Sequence, residues 1–277
     1  MGWTLSESVD EFLEAAGAML EANPAENTVL LTVSARVAEA GPNALGPEPA
    51  RFGWWRDDER SPVAGAVLVT PPYPLRLSLM PDLAAAELVA ALPTWSGEVS
   101  GKTAIVSAFV DAWVARTGGT ATIRLEQALY RLGELVPPNV PGHARHAVAA
   151  DRTLLVAWFL SFADELRIPH GNPESWVDSR LVSGSIQIWE DGEPVSIAGR
   201  SAVIAEMARI GPVYTPPRWR GRGYGSAVTA AATADALARG AGQVVLFTDL
   251  ANPTSNSIYR KIGYRPIGDE VIVDLRR

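Results

Sequence analysis

The chain has 277 residues, 47% of them apolar and 20% charged, and a formal net charge of −7. This length suits one large or two modest domains, each with a core of its own. The acidic balance argues against a partner built of nucleic-acid phosphates and suits a cationic partner such as an amine. The chain contains no cysteine, which excludes disulfides, thiolate metal sites and a cysteine nucleophile and fits a reducing cytoplasm, the location expected here.

The opening residues, Met1–Ser6, lack a basic stretch followed by an apolar run, so no secretory signal is expected. No uncharged stretch reaches the ~18–20 apolar residues needed to span a bilayer, so no membrane partner is expected either. Residues 5–22 carry Leu5, Val9, Phe12, Leu13, Ala16, Met19 and Leu20 at helical spacing, with Ser6 and Ser8 placed to cap the start. A short helix or strand over 28–37 and a Gly- and Pro-containing loop over 41–49 follow. Strands are predicted at 52–56, 63–70 and 75–80, helices at 82–92 and 101–116, and a strand at 121–130.

The run Val136-Pro-Pro-Asn-Val-Pro-Gly142 resists regular structure and divides the reading into a mixed α/β region 1–135 and a second domain 143–277. Beyond it come a helix over 151–166, strands at 186–189 and 194–199 joined at Asp191-Gly192, and a strand over 202–215 broken near Gly211-Pro212. A helix over 226–239 ends at Gly240. A buried strand at 244–248, a short helix at 254–261 and one or two strands over 264–275 complete the chain. Val69-Thr-Pro-Pro-Tyr73 echoes Val213-Tyr-Thr-Pro-Pro217. That echo and the similar order of elements raise the prospect of two copies of one ancestral unit.

The chemistry concentrates at Arg220-Gly221-Arg222-Gly223-Tyr224-Gly225-Ser226, between a strand and a helix. Glycines let a backbone approach a ligand and turn its N–H groups inward, and a helix N-terminus adds partial positive charge. Together with Arg220 and Arg222 they describe a pyrophosphate cradle. A dinucleotide fold fits poorly: position 226 is Ser, Pro216–Trp219 separates strand from glycines, and about thirty residues after Asp249 are too few for further βαβ units. An ATP-binding P-loop fails because no Lys-Ser or Lys-Thr follows the glycines. The histidines His143, His146 and His170 lack metal-ligand spacing, and no metal is expected.

Arg220-x-x-Gly223-x-Gly225 resembles the Arg/Gln-x-x-Gly-x-Gly/Ala signature of the GNAT N-acetyltransferases. The flanking runs Val213–Ser226 and Thr248–Tyr259, followed by Ile262-Gly263-Tyr264, resemble a bacterial subgroup of that superfamily, so the clear likeness covers about residues 203–275. The resemblance implies a GNAT acyltransferase fold, a mixed-sheet α/β class, in the C-terminal half, with region 1–135 as a degenerate GNAT-like partner in a tandem arrangement. It further implies acetyl-CoA as acyl donor and an amine on a small molecule or peptide as acceptor, with no nucleic acid. Self-association as a homodimer is left open.

By the same resemblance, the backbone of Val213, Tyr214 and Thr215 would meet the pantetheine arm. Gly221, Arg222, Gly223, Tyr224, Gly225 and Ser226, with Arg220, would hold the pyrophosphate, and Trp219 abuts them. Asn252 and Asn256 would lie beside the arm, and Tyr259 would protonate the leaving thiolate. Glu206, on the strand leading to the cradle, is the first candidate for general base, ahead of Glu165 on the 151–166 helix. Other roles stand beside these. Tyr259 could be a core residue, Asn252 a turn former and Asn256 a helix cap. A non-catalytic acyl-CoA-binding regulatory protein is the alternative to an enzyme.

Overall fold

The computed structural model describes residues 2–277, and Met1 lies outside the described residues. The chain forms two compact units, one of Met1–Leu129 with Gly268–Arg277 and the other of Tyr130–Ile267.

The first unit contains β1 (Gly2–Ser6), α1 (Val9–Glu21), α2 (Thr28–Ala40), β2 (Arg51–Arg56), β3 (Gly65–Val69), β4 (Leu75–Leu77), α3 (Asp82–Ala91), β5 (Gly97–Lys102), α4 (Thr103–Thr117) and most of β6 (Thr120–Leu132). The second runs through β7 (His143–His146), α5 (Arg152–Leu166), α6 (Pro173–Val182), β8 (Ile186–Glu190), β9 (Pro194–Arg200), β10 (Met207–Tyr214), α7 (Tyr224–Ala238), β11 (Gln243–Asp249) and α8 (Pro253–Lys261). The last strand, β12 (Tyr264–Arg276), begins in the second unit and from Gly268 onward belongs to the first.

Both units therefore follow one order, β-α-α-β-β-β-α-β-α-β. Their ladders match as well. β1–β2, β2–β3 and β3–β4 are antiparallel and β4–β5 is parallel. In the second unit β7–β8, β8–β9 and β9–β10 are antiparallel and β10–β11 is parallel. This order, not the sequence echo, carries the likeness between the halves. Val69 ends the third strand of its unit, whereas Tyr214 ends the fourth strand of the other.

Several predicted elements shift for identifiable reasons. The first helix starts at Val9, because the Ser8 hydroxyl accepts the Glu11 N–H as N-cap. The residues before it pair as an edge strand, Leu5 opposite Gly53. The helix predicted from 101 begins at Thr103, and Gly97–Lys102 pairs with both β4 and β12. Helix α6, unpredicted, starts in the same way as α8: an Asn side chain accepts the N–H of the Ser three residues on, with Pro between at the first helical position. The long strand predicted from 202 begins only at Met207. Ala205 and Glu206, at φ 47° and 58°, make a two-residue turn closed by reciprocal N–H···O bonds of 2.9 Å between Ile204 and Met207.

The first unit's core joins Leu75, Leu77, Leu88, Phe109 and Trp113 to Val271, Val273 and Leu275 of the closing strand. Across that strand the Arg76 guanidinium donates two hydrogen bonds, of 2.5 and 2.6 Å, to the Glu270 carboxylate, with both side chains more than nine-tenths buried. Removing one member of such a pair strands a buried charge. Arg76→Met is expected to lower unfolding stability by ~3–5 kcal/mol, and Arg76→Met/Glu270→Met to recover most of it. Urea unfolding of both variants measures the difference.

Candidate functional site

The second unit is shaped around the end of β10. Its parallel ladder to β11 pairs Met207 with Gln243, Ala208 with Val244 and Arg209 with Val245, and stops there. On its other side β10 stays with β9 to Tyr214–Ile197, through an irregularity between Ile210 and Val213. Pro212, within that irregularity, has no N–H to offer a neighbour. From Ile210 to Tyr214, β10 thus parts from β11 and leaves a cleft whose walls are strand backbone.

The chain leaves this cleft at Thr215, passes a short turn over Pro217–Trp219, and enters α7 at Tyr224. Gly221 and Gly223 hold φ of +78° and +85°, a conformation that only glycine adopts without strain. Gly223 occupies the N-cap position and has no side chain with which to cap. Consequently no described group of the chain accepts a hydrogen bond from the backbone N–H of Gly221, Arg222, Gly223, Tyr224, Gly225 or Ser226; the first helical bond is Ala227 N–H to Gly223 O, 3.1 Å. A row of free donors at the positive end of a fifteen-residue helix has the geometry and partial charge that suit an anion. The Ser226 hydroxyl donates to Gly223 O at 2.8 Å, which tightens the first turn.

The side chains around this row are organised in pairs. Arg222 lies over the Trp219 ring at 4.9 Å and Arg218 at 5.4 Å. Tyr224, buried, donates to Asp191 in the β8–β9 turn, and that acceptor together with burial raises its pKa. Arg220 turns toward α5: its Nη2 donates to both oxygens of Glu165, at 2.8 and 2.6 Å, and its Nε to Thr215 O at 2.8 Å. The Tyr214 hydroxyl reaches the same carboxylate at 3.4 Å. Burial raises the Tyr214 pKa, and the Glu165 charge adds to the rise.

On the other arm, Asn252 and Asn256 serve the fold. Asn252 caps α8 through Ser255 N–H. Asn256 donates to Asp249 O and Asn252 O at 2.9 and 2.8 Å and accepts from the buried Tyr130 hydroxyl at 3.1 Å. These bonds use both amide hydrogens of Asn256 and fix the β11–α8 corner from within α8, whose N-cap is Asn252 and not Asn256. One turn further on, Tyr259 is half-buried against Tyr264, with ring centroids 6.3 Å apart. Its hydroxyl has no partner among the described residues, and burial pushes its pKa up to about 12. It stays protonated at neutral pH and is free to donate. On β11 beyond the last pair, the Thr248 hydroxyl is buried without a partner.

Glu206 does not belong to this site. It stands exposed in the turn before β10, beside Gly242, where an added Cβ would lie 3.5 Å from its carboxylate. Gly242 follows the C-terminal end of α7, whereas the free N–H groups sit at its N-terminal end, about 22 Å away for fifteen residues at 1.5 Å each. Glu206 is therefore not placed to act as the general base expected of it. The strand expected over 202–215 is interrupted at Ala205 and Glu206 by a left-handed turn, which turns Glu206 away from the site.

The Pro-rich segment 136–142 lies along this same unit. Val136 N–H donates to Ile262 O at 3.1 Å, and Trp189 Nε1 donates to Pro141 O at 2.8 Å. Val140 lies so near the cradle that a Cβ on Gly223 would stand 2.9 Å from its Cγ2. Among the described residues no group of three or more His, Cys, Asp or Glu gathers as a metal site requires, and no helix is long and apolar enough to cross a membrane.

Residues 195–273 match the family model described as FR47-like protein. No curated protein matches the chain by sequence. Among solved structures, the chain is similar to a GNAT-family acetyltransferase from Colwellia psychrerythraea at 14% identity and TM-score 0.57, covering 100% of both chains. It is also similar to a GCN5-related N-acetyltransferase from Sphaerobacter thermophilus at 16% identity and TM-score 0.63, covering 98% of this chain and 94% of that one. A tandem GNAT protein from the clavulanic acid biosynthesis pathway shares 14% identity at TM-score 0.57, covering 99% of this chain and 98% of that one. At these identities the likeness is one of fold.

The two left-handed glycines are expected to differ on substitution. Gly221 has open space where a Cβ would go, so Gly221→Ala should cost about 1 kcal/mol from backbone conformation alone. Gly223→Val adds a collision with Val140 and should lower the unfolding midpoint clearly further, as thermal melts of the two variants would show.

Proposed function

We propose that this chain, which has the fold of the GNAT superfamily, is an enzyme that moves an acetyl group from acetyl-CoA directly to an amine of a small molecule or peptide. The observation that carries the reading is the row of unpartnered N–H groups from Gly221 to Ser226 beside the parted end of β10. A pyrophosphate supplies the acceptors this row lacks. The side of β10 that faces β11 at Val213 and Tyr214 has no ladder partner there and, with Thr215 just beyond it, suits an extended amide-bearing arm such as pantetheine. Asn252 and Asn256 shape the facing wall by fixing the start of α8.

Direct transfer forms a bond from the neutral amine nitrogen to the thioester carbonyl carbon and breaks the carbon–sulfur bond. The amine loses a proton and the sulfur gains one. A strand N–H facing the cleft polarises the carbonyl. Tyr259, protonated and without a competing partner, donates to the departing sulfur. Among the described residues the first unit has no equivalent loop. Between β4 and α3 it places Ser78-Leu-Met-Pro81, without glycine, and the Leu77 carbonyl at the end of β4 lies 3.2 Å from where a Cβ on Gly101 would stand. One acetyl-CoA per chain follows.

Acetyl-CoA at a hundredfold excess over its dissociation constant should stabilise the protein by ~2.7 kcal/mol, read as a raised thermal midpoint. NAD and ATP at the same concentration should not reproduce this. A shift with either of those and none with acetyl-CoA would refute the reading.

Tyr259→Phe keeps the ring and its contact with Tyr264 and deletes the proton. Acetyl-CoA affinity should hold while turnover, followed as thiol release across an amine panel, falls by roughly 10²-fold or more. Unchanged turnover would reassign the proton donor. Acetyl-CoA binding with no turnover on any amine would favour a non-catalytic acyl-CoA-binding protein.

A further inference from the structure

Arg220 opens the loop whose N–H groups await an anion, yet its guanidinium points to Glu165 at the C-terminal end of α5. The pair is well formed, but its side chains remain 48% and 42% exposed. Ion pairs that solvated contribute little, roughly 0–1 kcal/mol. A pyrophosphate on the adjacent N–H row would carry more negative charge than one carboxylate and matches the planar fork of an arginine equally well. Glu165 and a bound pyrophosphate therefore compete for one cation.

The surroundings of Glu165 say what it would meet once released. Its carboxylate lies 3.4 Å from the Tyr214 hydroxyl at the parted end of β10. Trp158, about two helical turns back along α5, has its ring 6.2 Å from that of Tyr214, and Phe162 packs on the same cluster. The Glu165 carboxylate, half-exposed at the edge of this buried aromatic cluster, can accept hydrogen bonds from an alkylammonium group. With Arg220 in place its charge is neutralised; with Arg220 withdrawn it becomes an anionic anchor.

We infer that Arg220 is shared between Glu165 and the anionic cofactor, and that cofactor binding frees Glu165, beside Tyr214, to anchor an acceptor that carries a positive charge away from its reacting amine. The inference rests on the acyl-CoA reading and adds the acceptor class: diamines and other polycationic amines, bound after the cofactor. Glu165 is here a specificity-determining residue rather than a base.

Titration calorimetry with coenzyme A tests the sharing, and its sign is diagnostic. Glu165→Gln should bind coenzyme A about two- to fivefold more tightly than the unaltered protein, because no carboxylate then competes for the Nη2 of Arg220, while its Nε keeps the Thr215 carbonyl. The gain should vanish in an Arg220→Gln background, and it should be absent with pantetheine, which has no pyrophosphate. A mere buttress for the loop would give the opposite sign, so weaker or unchanged binding by Glu165→Gln overturns the inference. The anchor is tested with 1,4-diaminobutane titrated into the coenzyme A complex. It should bind there at least fivefold more tightly than to the free protein, with the advantage lost in Glu165→Gln. Equal binding to both forms, or none, overturns the anchor. If the unaltered protein binds no coenzyme A, the acyl-CoA reading itself fails, an outcome distinct from binding that Glu165→Gln leaves unchanged.

Discussion

The ladder between β10 and β11 ends at Arg209 and Val245, and the rest of the second unit's site depends on that early ending. A parallel pair that continued to Tyr214 would use up the backbone groups of both strands and bring α7 and α8 together. Pro212 and the irregularity around it prevent this. Once the strands part, the segment from Thr215 to Gly223 must carry the chain from the end of β10 to the start of α7, and it does so with donors outward because its glycines are left-handed. Strand parting, free N–H row and helix terminus form a single construction in which no part would serve without the others.

The first unit shows the same topology with that construction closed. β4 and β5 pair at Leu75–Val99 and Arg76–Ser100, and at the end of β4 the Leu77 carbonyl stands so close to Gly101 that a Cβ there would lie 3.2 Å from it. Its helix α3 follows a glycine-free connection. The Arg76–Glu270 pair then locks the closing strand into place beneath the core of Val271, Val273 and Leu275. A shared order of ten elements thus gives one unit with a row of unpartnered N–H groups on a glycine loop and one with a glycine-free connection, and the difference lies in a handful of residues at the fourth strand and the loop after it.

Side-chain commitments divide the second unit's site into frame and chemistry. Asn252, Asn256 and Ser226 are engaged by the chain itself. Tyr259 is not, and its raised pKa keeps its proton in place. Arg220 stands between the two groups, engaged by Glu165 but only through a solvated contact. A polar group without an internal partner marks where a ligand must complete the hydrogen bonding, whereas one with internal partners marks what holds the shape.

The sequence by itself carried the glycine loop ahead of a helix, because both signals are local: Gly221 and Gly223 can take a left-handed backbone that other residues adopt only under strain, although the helix opens at Tyr224, two residues before the start expected at Ser226. It also determined the motif order over residues 203–275, and the Asn-Pro starts of α6 and α8 are helix signals that follow from capping alone. Only the tertiary structure decided which distant groups meet. Glu165 lies 55 positions before Arg220, Tyr130 lies 126 before Asn256, and Glu270 lies 194 after Arg76. No periodicity encodes such pairings, because they depend on where whole elements pack. The same holds for the misplacement of Glu206. Alternation cannot show that Ala205 and Glu206 turn left-handed, since the closing of that turn depends on Met207 pairing onward into a sheet built from the remote strand β11. The swap of Gly268–Arg277 into the first unit has the same origin, a strand whose partner, β5, lies more than 160 residues earlier in the chain.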